Sequence, residues 1–112
     1  MRLLRCMLRG IWRVLRGPRD QAVVTTDMLT FRDVVRYFTD NRPADPGIVA
    51  GALLRQRRGS KVRYVHVFLD DRDKTVFGRD GVPYGRIVRA AQVDDELATA
   101  FGRSDNDLVI FR

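Results

Sequence analysis

The sequence predicts an α+β fold: a small antiparallel or mixed sheet of three to four strands packed with two to three helices, preceded by an N-terminal basic amphipathic helix. Three observations support this prediction: several runs rich in β-branched residues, two segments with helix start signals, and an apolar content of 45% in 112 residues. A chain of this length and composition has room for one modest core. We expect the amphipathic helix over residues 1–17, a linker over residues 18–27 and a small α+β domain over residues 28–112.

The first sixteen residues, MRLLRCMLRGIWRVLR, separate arginine from apolar side chains on an ideal helix. At about 100° per residue the arginines fall within an arc of roughly 80°, and the apolar side chains fill about the opposite half. Pro18 then ends the helix, because proline disfavours a helical conformation in the preceding residue. No apolar run exceeds three residues, so the segment neither spans a membrane nor forms the core of a secretory signal.

Four hypotheses are open for this segment. It lies in a membrane interface, docks in a groove of a partner protein, acts as a mitochondrial-type targeting segment, or folds back onto the core of its own domain. The first two make it a docking element. Its predicted docking residues are Leu4, Leu8, Ile11, Trp12 and Leu15 on the apolar side and Arg5, Arg9, Arg13 and Arg16 on the basic side.

Residues 17–27 read as a linker with a short extended stretch at 22–25. The segment TFRDVVRYF predicts the next helix, with Thr30 as its N-cap and Asp33 three positions later in an acidic capping box. A further helix is predicted from Pro46, because Asp45 before it is a favoured N-cap and proline is favoured at the first helical position. We expect Gly59 to end this helix after a basic last turn.

The run KVRYVHVFLD predicts an inner strand, since both of its faces are apolar at the centre. We expect His66, in its middle, to be a buried core histidine, because the sequence identifies no catalytic partner for it. KTVF and GRIVRA predict two more short strands. DDELATAF predicts a short helix closed by Gly102, and DLVIF a final strand.

The aspartate-rich stretch FLDDRDKTV resembles the first motif of haloacid-dehalogenase-type phosphotransferases, with Asp71, Asp73 and Thr75 filling Asp-x-Asp-x-Thr. It also resembles the Asp-x-Asp motif of nucleotide-sugar glycosyltransferases. Both resemblances imply carboxylates that bind a divalent cation. Because no strand–helix succession follows Thr75, we favour the alternative that the stretch is a hairpin turn in which aspartate side chains bond local N–H groups.

The net charge of +7 is concentrated in the N-terminal half, where residues 1–20 carry six arginines against one aspartate. Such a field favours an anionic partner. Residues 30–78 also resemble a winged helix-turn-helix, with the helix from Pro46 as recognition helix and residues 62–77 as the wing. The residues expected to contact an anion or nucleic acid are Arg55, Arg57, Arg58, Lys61 and Arg63.

The function we expect is that of a non-enzymatic adaptor or accessory subunit. It docks through its N-terminal helix on a larger protein assembly or an anionic membrane surface, and the alternative is a basic nucleic-acid-binding protein. One cysteine and one histidine do not make a disulfide framework or a zinc cluster, so we expect no metal, no cofactor, no catalytic residue and no small-molecule substrate. We expect an intracellular, reducing location, with a peripheral membrane or the mitochondrial matrix as options, no secretion and no transmembrane span.

Overall fold

The computed structural model describes residues 23–103 and 107–112, with the backbone alone for Arg58 and Lys61. The predicted amphipathic helix over residues 1–17 lies outside the described residues. The elements are β1 (Val23–Leu29), α1 (Phe31–Asp40), β2 (Ala50–Arg58), β3 (Lys61–Leu69), β4 (Gly85–Val93), α2 (Asp95–Arg103) and β5 (Leu108–Phe111).

The five strands form one mixed sheet in the order β1-β4-β3-β2-β5. β1 runs parallel to β4, and the other three pairs of neighbours are antiparallel. The α+β class is confirmed, but within the described ranges the sheet has five strands where three to four were predicted. The difference has two sources: the sequence predicts a helix for the residues that form β2, and β1 takes in residues 23–27 of the predicted linker.

Helix α1 begins as its sequence predicts. Thr30 Oγ1 accepts a hydrogen bond from the N–H of Asp33 at 3.0 Å, and Asp33 Oδ2 accepts one from the N–H of Thr30 at 3.4 Å. This reciprocal pair is a capping box, and it satisfies two N–H groups that have no partner within the helix. Val34 and Phe38 are the buried residues of the helix, and this side of the helix packs against the sheet.

The predicted helix from Pro46 is wrong: residues 50–58 form strand β2. Asp45 does start a local turn, since its Oδ1 accepts from the N–H of Gly47 at 2.8 Å, but the chain then extends. β2 pairs with β3 along all nine of its residues, ending at Arg58 opposite Lys61. Gly59, with φ 61°, occupies the first position of the connecting two-residue turn, where a positive φ matches the twist of a hairpin. Tertiary pairing therefore overrides the helix propensity of the Ala- and Leu-rich sequence.

This correction removes the predicted winged helix-turn-helix. The segment predicted as the recognition helix is a strand inside the sheet, and residues 62–69 of the predicted wing belong to the central strand β3. The predicted strand at residues 74–77 is reduced to isolated bridges, Leu69 with Thr75 and Phe77 with Pro83. The predicted strands GRIVRA and DLVIF are confirmed as β4 and β5, and DDELATAF as α2.

The sheet has two buried faces of different construction. On the first, which we call the helix-covered face, α1 and α2 pack on the strands; its buried residues are Leu29, Val34, Phe38, Ile48, Leu53, Tyr64, Phe68, Val88, Ala90, Leu97, Phe101 and Val109. Among the described residues the second cluster contains strand residues alone, and we call it the strand-only face; its buried residues are Ala50, Ala52, Leu54, Val65, Val67, Leu69, Ile87 and Leu108. Strand alternation separates the two sets.

Candidate functional site

The predicted docking residues of the N-terminal segment lie outside the described residues; they are Leu4, Arg5, Leu8, Arg9, Ile11, Trp12, Arg13, Leu15 and Arg16. What the structure does place is the strand that follows them. Among the described residues β1 pairs with β4 alone, so it forms one edge of the sheet. Val23, Val24 and Met28 of this strand are 40%, 43% and 39% exposed. An exposed edge with apolar side chains is a surface on which another chain can pair.

The structure brings the predicted anion-contact residues to one place, the end of the β2–β3 hairpin that holds the Gly59 turn. They do not share one surface, because strand alternation sends Arg55 and Arg57 to the helix-covered face and Arg63 to the other. Arg58 pairs with Lys61 across the hairpin through the backbone register.

Two of these residues, Arg55 and Arg63, make contacts within the fold. Arg55 Nε donates to Asp107 Oδ1 at 3.1 Å, and its guanidinium lies 4.4 Å from the centroid of the Phe101 ring. Arg63 Nη2 donates to Gln56 Oε1 at 3.1 Å. The Arg55 contacts join β2 to α2 and to the residue before β5, and the Arg63 contact joins β3 to β2. Arg57 is exposed. Nucleic-acid binding by this cluster stays a prediction.

The aspartate-rich stretch is a turn, as predicted. Asp70 Oδ1 accepts hydrogen bonds from the N–H groups of Arg72 and Lys74 at 2.8 and 2.9 Å. These bonds, that from Lys74 foremost, lower the pKa of the Asp70 carboxyl because they favour its charged form. Asp73 has a positive φ of 60°, typical of a turn aspartate. Within the described ranges no three His, Cys, Asp or Glu side chains gather as a metal site would require.

A cluster that sequence reasoning missed lies on the helix-covered face, where β3, β4 and α1 meet. The register places His66 opposite Arg86, and Arg86 Nη2 lies 3.5 Å from His66 Nε2. The Arg86 guanidinium lies 4.2 Å from the centroid of the Tyr37 ring, a cation–π distance. The sequence carries no local signal for this cluster, since its members are brought together by strand register and by the docking of α1.

The electrostatics of the cluster follow from burial. His66 has no exposed surface, and desolvation, with the Arg86 cation as a second cause, lowers its pKa from 6.5 to about 3. The imidazole is therefore neutral at physiological pH and accepts from Arg86. Desolvation also lowers the pKa of Arg86 and raises that of the Tyr37 phenol. A buried neutral histidine with a cation beside it is suited to positioning the cation.

No protein-family model, curated protein or solved structure matches the chain. None of the helices formed by the described residues has the length and apolar character needed to cross a bilayer.

Proposed function

We propose that the protein is a non-enzymatic adaptor or accessory subunit that docks through its basic amphipathic segment, residues 1–17, on a larger protein assembly or an anionic membrane surface. The observation that carries the proposal is the exposed apolar edge of β1, which begins six residues after that segment ends. An edge strand and an amphipathic segment so close in the chain can engage one partner together, the edge by backbone pairing and the segment by its apolar side.

Charge supports an anionic target. Residues 1–20 carry six of the 19 arginines against Asp20 alone, whereas residues 64–112 carry nine acidic and seven basic side chains. A cationic end of this kind raises the rate of encounter with an acidic protein surface or acidic lipid headgroups. A single cysteine suits an intracellular, reducing compartment, with a membrane face or the mitochondrial matrix as the options.

The strand-only face is an alternative place for residues 1–17 to dock. In the part of the chain that the structure describes, its eight buried apolar residues belong to β2, β3, β4 and β5, and neither α1 nor α2 contributes to it. A sheet buries both apolar faces against other layers, so the apolar side of residues 1–17 suits this face as well as it suits a partner. Deletion of residues 1–17 distinguishes docking on a partner from packing on the strand-only face.

The experiment deletes residues 1–17 and compares the truncated and full-length proteins by circular dichroism, thermal melting, pull-down from the source lysate and flotation with anionic or neutral liposomes. We expect the truncated chain to fold and to lose attachment, and Leu8→Asp and Trp12→Asp to mimic the deletion. Phe77→Asp is the matched control, because Phe77 is an apolar residue that is 45% exposed elsewhere on the surface. Truncated protein that no longer folds would show that the segment belongs to the strand-only face and would overturn the proposal.

Replacement of Arg9 and Arg13 by Gln distinguishes the two kinds of partner. Loss of flotation with anionic liposomes, with attachment to protein unchanged, identifies a lipid target. Retention of a stoichiometric protein partner by the wild type and its loss in Leu8→Asp identify a protein assembly.

A further inference from the structure

The strand-only face is buried, although no helix or strand of the described ranges lies over it. Its eight residues are between 0% and 7% exposed, and in those ranges neither α1 nor α2 contributes to them. The side chains of a bare sheet face are open to water on one side, so burial of this degree requires a second layer. The residues outside the described ranges are 1–22 and 104–106, and they are the part of the chain from which that layer can come.

The two remaining stretches differ in their fitness for this role. Residues 104–106 are three polar residues, SDN, between α2 and β5, and they offer no apolar surface. Residues 1–17 are apolar on about half of an ideal helix and rich in arginine on the other half. A layer that packs on a sheet with one side and faces water with the other has this composition.

The start of β1 brings this segment to the correct side of the sheet. Val23 pairs with Ile87, which is a member of the strand-only face. Paired residues of neighbouring strands place their side chains on the same side of a sheet, so β1 begins beside this face. A helix of the first sixteen residues would be about 24 Å long. Five strands span roughly 19 Å between the outer two, so one such helix crosses the whole face.

The composition of the face suits a large side chain and a reversible contact. Ala50 and Ala52 lie opposite Leu69 and Val67 in the β2–β3 register, and their small side chains leave room for the indole ring of Trp12.

Charge makes the contact reversible. Near the hairpin end of the sheet, Arg63 lies opposite Arg89 on the side of the strand-only face. These cations repel an arginine-rich segment, so an anionic partner lowers the electrostatic free energy when it takes the segment away from the sheet.

We propose that residues 1–17 cover the strand-only face in the free protein, with their apolar side on the sheet and their arginines toward water, and leave it when they dock. We call the first of these states the resting contact. The release rests on the proposed function, whereas the resting contact is a property of the free protein. Because the contact is reversible, the chain without residues 1–17 is still expected to fold, with the face bare.

The first test uses Trp12, which is the single tryptophan of the chain. In the full-length protein without partner or lipid, we expect a blue-shifted emission and quenching by acrylamide at least about threefold weaker than in urea. Ile110→Asp should shift the emission to the red and raise the quenching, because Ile110 packs at the margin of the strand-only face. Val35→Asp is the matched control, since Val35 is 40% exposed on α1, on the other side of the sheet, and it should change neither reading.

The second test needs no variant and uses a nitroxide label on Cys6, the single cysteine. On an ideal helix Cys6 falls beside the arginines, so the label does not enter the contact. In the free protein the label should broaden the amide NMR signals of Val67 and Ile87 more than that of Val35.

The outcomes separate the resting contact from the proposed function. A Trp12 as accessible in the free protein as in urea, with no broadening on the sheet, would overturn the resting contact and leave the docking function standing. A dimer in sedimentation with Trp12 accessible would also overturn it, because a second copy then covers the face. Broadening that persists when the labelled protein is mixed with anionic liposomes and with the source lysate would contradict the docking function and leave the resting contact standing.

Discussion

The carboxylate of Asp94 accepts a hydrogen bond from the backbone N–H of Phe31, 63 positions earlier in the chain, at 3.1 Å. The same oxygen accepts from the N–H of Leu97 at 3.0 Å, in the first turn of α2. One side chain therefore caps the start of α2 and binds the first residue of α1. Both helix N-termini are positive ends of helix dipoles, which favour a carboxylate between them.

Asp94→Ala should lower the free energy of unfolding by about 2 kcal/mol, because it removes one N-cap and leaves a partly buried N–H without its acceptor. Asp94→Asn keeps an acceptor oxygen and should cost less than the alanine change. Urea denaturation monitored by circular dichroism measures both. Asp95→Ala is the control, since Asp95 is an exposed acidic neighbour; an equal loss in Asp94→Ala and Asp95→Ala would contradict the shared cap.

Gly85→Ala should prevent stable folding, with an expected loss of more than about 3 kcal/mol. A Cβ at this position would lie 1.8 Å from the carbonyl oxygen of His66, and the φ of 153° is rare for a residue with a side chain. Gly102→Ala is the matched control, because a Cβ there meets nothing within 4 Å and alanine favours the α2 helix by about 0.5–1 kcal/mol. Thermal melting of the two variants should show opposite shifts, and a well-folded Gly85→Ala would show that β3 and β4 are not this close.

His66 should make the protein less stable as the pH falls below 6.5. The unfolded imidazole takes up a proton near pH 6.5, whereas burial and the neighbouring Arg86 hold the pKa of folded His66 at about 3. Between these two values the unfolded state binds more protons, so stability is complete above pH 6.5 and is lost progressively toward pH 3. At about 1.4 kcal/mol per pH unit, the loss between pH 6.5 and 5 is about 2 kcal/mol.

The comparison that isolates this effect is His66→Gln, which keeps a hydrogen-bond acceptor for Arg86 and does not titrate. Urea unfolding at pH 5.0, 5.5, 6.0, 6.5 and 7.5 should give a slope for the wild type that is steeper than that for the variant. Parallel curves would mean that His66 takes up its proton in the folded protein as readily as in the unfolded one. Carboxylate titration is common to both proteins and cancels in the difference.

Local chemistry explains which elements the sequence predicts correctly. The α1 start depends on Thr30 and Asp33, which lie three residues apart, and the turn at Asp70 depends on N–H groups two and four residues further on. β3 is predicted from the apolar character of both its faces, which suits its place at the centre of the sheet. Each of these signals is complete within a few residues.

β2 and the Arg86 cluster could not be predicted in the same way. The sequence AGALLRQRR lacks β-branched residues, and it extends because β3 and β5 pair with its two edges. The signal that could have shown this is the pair Gly59-Ser60. These two turn residues lie between β2 and β3, which have nine residues each, and such an arrangement suits a tight hairpin. The contact between His66 and Arg86 needs the β3–β4 register, and that of Tyr37 needs the docking of α1, so neither is present in any short stretch.

The parallel pairing of β1 with β4 has a consequence for the order in which the chain assembles. β2, β3 and β4 follow one another as an antiparallel meander, so their contacts close short loops and can form early. The pairing of β1 with β4 closes a long loop, because Val23 lies opposite Ile87 and the whole of α1, β2 and β3 lies between them in the chain. It therefore joins the sheet late, after the meander has formed. The residues before it are tethered to a strand that has β4 as its one neighbour among the described residues, and a pull on that end would separate β1 from β4 before it reached the meander.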